Sequence, residues 1–150
     1  MNDYDHLPWI EFAVGELGVT EAPGEADNPR IVEYHAATSL HSKDDETPWC
    51  SAFANWCMWK AGIEGTKSAA ARSWLRWGDR VEPRFGCVVI LWRGAPTSEQ
   101  GHVGFYVKED DSNVYLLGGN QGDAVSVARY PKTRVLGFRF PKKDEFRWPR

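Results

Sequence analysis

The change in residue spacing that decides the fold lies in residues 87–107, CVVILWRGAPTSEQGHVGFYV. Two runs in it, 87–92 and 102–107, are rich in β-branched and aromatic residues and are separated by turn-forming residues, which is typical of strands. Before this stretch, apolar residues recur at helical spacing. The sequence therefore predicts helices first and a sheet second, which is the pattern of an α+β protein.

Further strand patterns follow this stretch, and helical patterns precede it. Three short apolar runs bounded by turn residues, 114–117, 125–128 and 135–140, extend the prediction to an antiparallel sheet of about five strands. Apolar spacing and capping residues predict four helices packed on this sheet. They begin at Pro8, Pro29, Cys50 and Ala69, and they end near Gly18, His35, Gly62 and Gly78.

Length and composition fit one domain that spans residues 1–150. Hydrophobic residues make up 42% of the chain and aromatic residues 13%, which is enough to build a core. The formal net charge is −3, and the Lys and Arg residues are scattered. Proteins that bind nucleic acid usually carry a basic patch or stripe, so we expect no nucleic-acid partner.

Cysteine usage and the N-terminal residues predict synthesis in the cytoplasm. The three cysteines do not form an even, closely spaced disulfide framework. Residues 1–16 lack the basic and apolar regions of a secretory signal peptide, and no apolar stretch is long enough for membrane insertion. A target outside the cytoplasm would have to be reached by release or injection.

Cys50 and His102 are the candidate catalytic pair. Cys50 heads a predicted helix, and its apolar stripe continues at offsets of 3, 4, 7 and 11 residues. A thiol attacks a carbonyl as thiolate, and both a helix N-terminus and a nearby imidazole lower a cysteine pKa. His102 lies on the strand-like run that follows, so it is the candidate base. Together these placements predict a cysteine hydrolase.

A third polar side chain is expected to fix the imidazole tautomer. Asn120 follows the next predicted strand, and antiparallel pairing of that strand with the His102 strand would bring Asn120 and His102 together. Gln121 is the alternative to Asn120. Asn120 also has a purely structural interpretation, as a turn residue that tolerates left-handed backbone after two glycines.

Other interpretations of the cysteines stay open. Cys50 alone could be a buried structural thiol, and we expect Cys57 and Cys87 to be core residues. A zinc site made of the three cysteines and His102 lacks ligand-like spacing. We therefore expect no metal and no organic cofactor.

Four segments resemble the CHAP-like cysteine peptidoglycan hydrolases, a papain-like and NlpC-related group. They are residues 45–53 (DETPWCSAF), 68–74 (SAAARSW), 101–105 (GHVGF) and 118–122 (GGNQG), and the resemblance extends from about Pro8 to Pro141. It implies a papain-like α+β fold and cleavage of amide bonds in bacterial cell-wall peptides. By position, Cys50 matches the nucleophile, His102 the base and Asn120 the third polar residue.

The resemblance also implies a substrate and a biological setting. The bond is either the one that joins muramic acid to L-alanine or one within the stem peptide or its cross-link. Members occur as phage lysis enzymes and antibacterial effectors, so an immunity protein or a secretion carrier is a possible partner, and a monomer is expected. The candidate substrate-binding residues are Trp49, Ser51, Arg72 and Gln121, and Asp45 or Glu46 could orient a substrate amide.

Two rival functions are compatible with the same sequence. The first is a binding module that keeps the fold and holds glycan or stem peptide without cleaving it, as the eight tryptophans would suggest. The second is a cytoplasmic cysteine peptidase or amidase that acts on peptides unrelated to the cell wall.

Overall fold

The computed structural model describes residues 7–21, 28–38 and 49–143, and it has the predicted α+β architecture. Three α-helices are packed on an antiparallel sheet. The helices are α1 (Pro8–Gly15), α2 (Pro29–His35) and α3 (Cys50–Lys60). The strands are β1 (Asp79–Arg80), β2 (Val88–Trp92), β3 (Gly101–Glu109), β4 (Asn113–Gly118), β5 (Ser126–Pro131) and β6 (Val135–Phe140).

The sheet has the strand order β1-β6-β2-β3-β4-β5, and every pair is antiparallel. The five strands predicted from sequence are all present. The additional strand, β1, has two residues, and it pairs with the end of β6. Strands this short carry no alternating pattern, so β1 has no recognisable signal in the sequence.

The helix ends show why the chain folds locally as it does. The Asn28 side chain accepts a hydrogen bond from the Arg30 N–H and so caps α2. Helix α3 ends in a Schellman motif, in which Gly62 has a φ of 79° and the Ile63 N–H donates to the Met58 carbonyl. The start of α2 and the end of α3 therefore lie where the capping residues predict.

Two of the predicted helices differ from the structure. Helix α1 ends at Gly15, because the chain then turns so that the Gly18 N–H can donate to the Val125 carbonyl. The predicted fourth α-helix is instead a 3-10 helix over Ala71–Arg76. Residues three apart eclipse each other in a 3-10 helix, and this places Ala71 and Trp74 together on its buried side.

Helix α3 lies at the centre of the molecule. Its residues from Cys50 to Met58 are all buried, and the helix packs on α1, α2, β3 and β4. Burial of one large apolar side chain such as Phe53 contributes about 2 kcal/mol, so this packing holds the start of α3 firmly against the sheet. No helix among the described residues has the length and apolar character needed to cross a bilayer.

Candidate active site

Cys50 is the first residue of α3, which places its sulfur at the helix N-terminus. The N-cap residue Trp49 makes no side-chain capping bond. N–H groups in the first turn of a helix have no acceptor within the helix, so they give that end partial positive charge. The N–H of Ser51 donates to the Cys50 sulfur, as does that of Val103 on β3. The position therefore favours a thiolate.

His102 is the second residue of β3 and is hydrogen-bonded to Cys50 across the helix–sheet boundary. Its strand is held close to the 3-10 helix. A Cβ atom at the preceding Gly101 would lie 2.7 Å from the Leu91 carbonyl oxygen and 3.2 Å from Cγ of Arg72. Cys50 is 8% exposed and His102 7%, so the pair is largely shielded from water.

The two groups shift each other's pKa against the effect of burial. Burial is the largest effect on Cys50 and would raise its pKa, but the charge and hydrogen bond of His102 outweigh it, so the pKa is lowered. Burial would lower the pKa of His102, but the charge and hydrogen bond of Cys50 and the bond to Gln121 raise it. The arrangement favours a thiolate beside an imidazolium.

Gln121 fixes the orientation of the imidazole ring. Its Oε1 lies 2.9 Å from Nε2 of His102. Its Nε2 donates to the carbonyls of Leu116 (3.0 Å) and Ser126 (2.7 Å). Because those carbonyls require the amide hydrogens, the amide oxygen must face the ring, and Nε2 of His102 carries the hydrogen. Nδ1 is then the ring nitrogen that interacts with the Cys50 sulfur.

Asn120 does not contact His102 through a hydrogen bond in the structure, in contrast to the sequence prediction. Strand β4 ends at Gly118, and the left-handed backbone of Asn120, with a φ of 57°, turns the chain out of the strand direction. The Gln121 N–H then donates to the Ala124 carbonyl and closes a turn. This turn places the side chain of Gln121, the alternative considered from the sequence, against the imidazole.

Tyr130 is a further site residue, and no pattern in the sequence predicts it. Its Oη lies 3.1 Å from Nε2 of His102, and the two ring centroids are 5.1 Å apart with an interplanar angle of 35°. Tyr130 reaches this position because β5 pairs with β4 so that Tyr130 is opposite Val114. No local motif marks it, since its place depends on strand register.

Two of the residues predicted to bind substrate have buried structural side chains. Trp49 is fully buried, and its Nε1 donates to Oε1 of Glu21 at 2.8 Å. Ser51 is also fully buried. Its Oγ donates to the Ser68 carbonyl at 2.7 Å and accepts a bond from Nε1 of Trp74 at 2.9 Å. Both side chains therefore support the start of α3 from within the core, and neither is exposed to a ligand.

Arg72 and Gln121 also differ from their predicted substrate-binding roles. Arg72 donates from Nε to the Gln100 carbonyl, from Nη1 to that of Pro96 and from Nη2 to that of Ala95, at 2.9–3.1 Å. It therefore ties the β2–β3 loop to the 3-10 helix. Gln121 is 5% exposed and bonded to His102. The predicted candidates Asp45 and Glu46 lie outside the described residues.

The other two cysteines lie in the core. Cys57 and Cys87 are fully buried. Burial raises the pKa of Cys57 well above its ordinary value and that of Cys87 to about 11. Within residues 7–21, 28–38 and 49–143, no three His, Cys, Asp or Glu side chains are grouped so that they could hold a metal ion. Cys50 is therefore the one described cysteine whose environment favours the thiolate.

The geometry defines a class of protein, namely α+β proteins with a papain-like thiol–imidazole pair between a helix N-terminus and an antiparallel sheet. The CHAP domain family model matches residues 42–120, more than half of the chain, and the chain belongs to this family. This confirms the resemblance stated from the sequence. No curated protein matches the chain. CHAP domains are typically hydrolases that act on peptidoglycan as amidases or peptidases.

The family match covers the candidate catalytic pair but ends before the residues that surround the imidazole. Cys50 and His102 both lie within residues 42–120. Gln121 is the next residue along the chain, and Tyr130 lies on the following strand. The two side chains that contact Nε2 of His102 are therefore specified by the part of this chain beyond the matched segment.

Proposed function

We propose that this protein is a cysteine amidohydrolase that cleaves an amide bond in bacterial cell-wall peptides. The bond is either the one between muramic acid and L-alanine or one within the stem peptide or its cross-link. The observation that carries the proposal is the contact between Cys50 and His102, with Gln121 holding the opposite ring nitrogen. Family membership supports peptidoglycan as the polymer.

Acylation of the enzyme begins with attack of the Cys50 thiolate on the amide carbonyl carbon. The carbonyl π electrons move to oxygen and form a tetrahedral intermediate. As this intermediate collapses, the C–N bond breaks and Nδ1–H of His102 gives its proton to the leaving amine. The products of this step are a free amine and a thioester on Cys50, with a neutral imidazole.

Deacylation uses the same imidazole as a base. Nδ1 of His102 removes a proton from a water molecule, which attacks the thioester carbonyl carbon. The C–S bond then breaks, and the acyl group leaves as a carboxylic acid that ionises. Cys50 is again a thiolate beside an imidazolium. Gln121 keeps Nδ1 directed at the reaction centre in both steps, because it holds Nε2–H through its amide oxygen.

The oxyanion of each tetrahedral intermediate is stabilised by the start of α3. The backbone N–H of Cys50 lies in the first helical turn, where N–H groups have no intrahelical acceptor. A donor of this kind, placed at the developing negative charge, contributes on the order of a hundredfold or more in rate. The N-terminus of α3, which favours the Cys50 thiolate, therefore also stabilises the tetrahedral intermediate.

The proposal includes a place of action. Peptidoglycan lies outside the cytoplasm, so a protein made in the cytoplasm would act in the periplasm or cell wall, after release as a phage lysis enzyme or injection as an antibacterial effector. An injected enzyme requires an immunity protein in the producing cell, and a secretion carrier would deliver it. We expect it to act as a monomer.

Digestion of purified sacculi by Cys50→Ala and wild-type protein tests the proposal. The wild type should release fragments whose masses identify the bond that is cut, and Cys50→Ala should release none. Cys57→Ala is the matched control, because it removes a cysteine from the same helix away from the pair. It should retain activity when folded, as checked by circular dichroism.

Two outcomes would contradict the proposal. Release of fragments by Cys50→Ala at the wild-type rate would show that the sulfur is not the nucleophile. Sacculi that bind wild-type protein without loss of mass would favour the binding module, and cleavage confined to peptides unrelated to the wall would favour the cytoplasmic peptidase. Expression directed to the periplasm should lyse cells only if the protein cleaves the wall.

A further inference from the structure

Tyr130 lies between two cationic side chains. On one side lies His102, whose ring centroid is 5.1 Å from that of Tyr130. The guanidinium carbon of Arg134 is 5.5 Å from the centroid of the Tyr130 ring. Arg134 is held in place by a 3.0 Å bond from its Nε to the Trp92 carbonyl. The phenol ring thus contacts both the imidazole and a fixed positive charge.

The hydrogen bonds around Nε2 of His102 determine what the Tyr130 hydroxyl does. Gln121 presents an oxygen to Nε2, so that nitrogen carries a hydrogen. The Tyr130 oxygen, 3.1 Å from the same nitrogen, then serves as a second acceptor of that hydrogen. Burial raises the pKa of Tyr130 to about 12, so its hydroxyl is neutral at physiological pH. An acceptor at Nε2–H stabilises the imidazolium.

The charged groups that face His102 act in opposite directions. The Cys50 thiolate, from α3, favours the imidazolium, and the Arg134 guanidinium, from the 3-10 turn after β5, disfavours it. From β2, the residue opposite His102 is the apolar Leu91. Arg72 of the 3-10 helix packs on the adjacent Gly101, and its guanidinium is bonded to loop carbonyls. Strand β4 pairs with β3 further along, where the apolar Leu117 and Leu116 lie opposite Phe105 and Tyr106.

We propose that Tyr130 is a positioning residue that holds His102 as imidazolium, and that Arg134 opposes it, so that together they set the pH at which the imidazolium loses its proton. This inference rests on the proposed function, because that proton is the one delivered to the leaving amine. Both residues lie beyond the segment matched by the family model, which ends at residue 120. The proposal therefore assigns this role to β5 and the turn that follows it.

The pH dependence of Cys50 alkylation by iodoacetamide shows when His102 loses its proton, and no substrate is needed. The rate should rise once with pH as the thiolate forms, and a second time as His102 loses its proton, because a thiolate freed from an imidazolium is more nucleophilic. Alkylation of Cys50 itself is followed by mass spectrometry of its peptide. The pH of the second inflection is therefore the pH at which the His102 imidazolium loses its proton.

Two substitutions should move the second inflection in opposite directions. Tyr130→Phe keeps the ring but removes the acceptor, so the inflection should fall by about half a pH unit to one unit. Arg134→Gln removes a positive charge, so the inflection should rise by about the same amount. Arg134→Lys keeps the charge and should leave it near the wild-type value. Tyr115→Phe, a loss of a hydroxyl that bonds Asp110, is the matched control.

The outcomes distinguish this inference from the proposed function. An unchanged second inflection in Tyr130→Phe, or the same direction of shift in both variants, would overturn the role of Tyr130 and Arg134. Shifts as expected, in a protein that leaves sacculi intact, would instead overturn the proposed function. If sacculi are cleaved, the alkaline limb of the cleavage rate should shift with the alkylation inflection, which a merely structural role for Tyr130 would not produce.

Discussion

The backbone conformation of one residue, Asn120, decides which amide reaches the imidazole of His102. With a φ of 57°, Asn120 turns the chain out of the strand direction, and the next side chain, that of Gln121, takes the position beside His102. Gln121 has a longer side chain, so it reaches Nε2 while its own amide hydrogens satisfy two carbonyls. The turn at Asn120 therefore also creates the contact between Gln121 and His102.

Substitution of these two neighbours should separate their roles. Gln121→Ala removes the acceptor that fixes the tautomer, so the sacculus cleavage rate should fall about tenfold or more. Asn120→Gly preserves the left-handed backbone, which glycine adopts without strain, and should leave the rate within about twofold. Initial rates on sacculi provide the measurement. A larger loss in Asn120→Gly than in Gln121→Ala would return the orienting role to Asn120.

Local patterns predicted that Cys50 and His102 lie together, but they did not predict the residues around this pair. Cys50 follows from its place at the head of a helical stripe, and His102 from its strand pattern, because both signals lie within a few residues. Tyr130 depends on the register between β4 and β5, which no short segment encodes. The structural roles of Trp49 and Ser51 likewise depend on partners far along the chain.

Among the elements, the contact between α3 and the turn after β4 brings the two halves of the site together. A Cβ atom at Gly119 would lie 2.7 Å from Cβ of Phe53 and 2.8 Å from ring carbons of Trp49. Real Cβ atoms do not approach other atoms so closely, so the turn requires glycine there. This close approach places Gln121 near the start of α3.

Gly119→Ala should therefore lower both stability and activity. The added methyl group must push the turn away from α3, at a cost of about 1–3 kcal/mol, and Gln121 moves with it. Gly15→Ala is the matched control, since a methyl group there would have no atom within 4 Å, and α1 should gain up to about 1 kcal/mol. Urea unfolding and sacculus cleavage measure the two effects. Equal stability in both variants would refute the close approach.

The sequence predicted elements best where their ends carry chemical signals. Asn28 and Gly62 mark helix ends through capping bonds, and these bonds form in the structure. The segment after Ser68 has a similar start signal, but it forms a 3-10 helix because Trp74 must reach Ser51 in the core. Tertiary packing selected the helix type there, and periodicity over six residues does not distinguish the two types.

For the whole molecule, the thiolate–imidazolium pair links stability to pH. The folded pKa of Cys50 lies below the ordinary value of 9.0, so its contribution is lost as the pH falls through that folded pKa. The folded pKa of His102 lies above the ordinary value of 6.5, so its contribution is lost as the pH rises through that folded pKa. Where the two pH ranges overlap, the gain from Cys50 and the loss from His102 with rising pH offset each other.

The difference in unfolding free energy between wild type and Cys50→Ala should follow this profile. It should shift towards the variant at alkaline pH, as the pH rises through the folded pKa of His102, because the variant lacks the thiolate that raises this pKa. Urea unfolding at a series of pH values measures the difference. A difference that rises steadily from pH 6.5 to 9.0 would be inconsistent with an ion pair.

The strand order has a consequence for how the chain acquires its structure. Strand β6 lies between β1 and β2, although β3, β4 and β5 come before it in the chain. A ribosome must therefore have synthesised residue 140 before the sheet can close, and pairing across such sequence separations slows folding. The nascent polypeptide therefore lacks a complete sheet until β6 is inserted between β1 and β2.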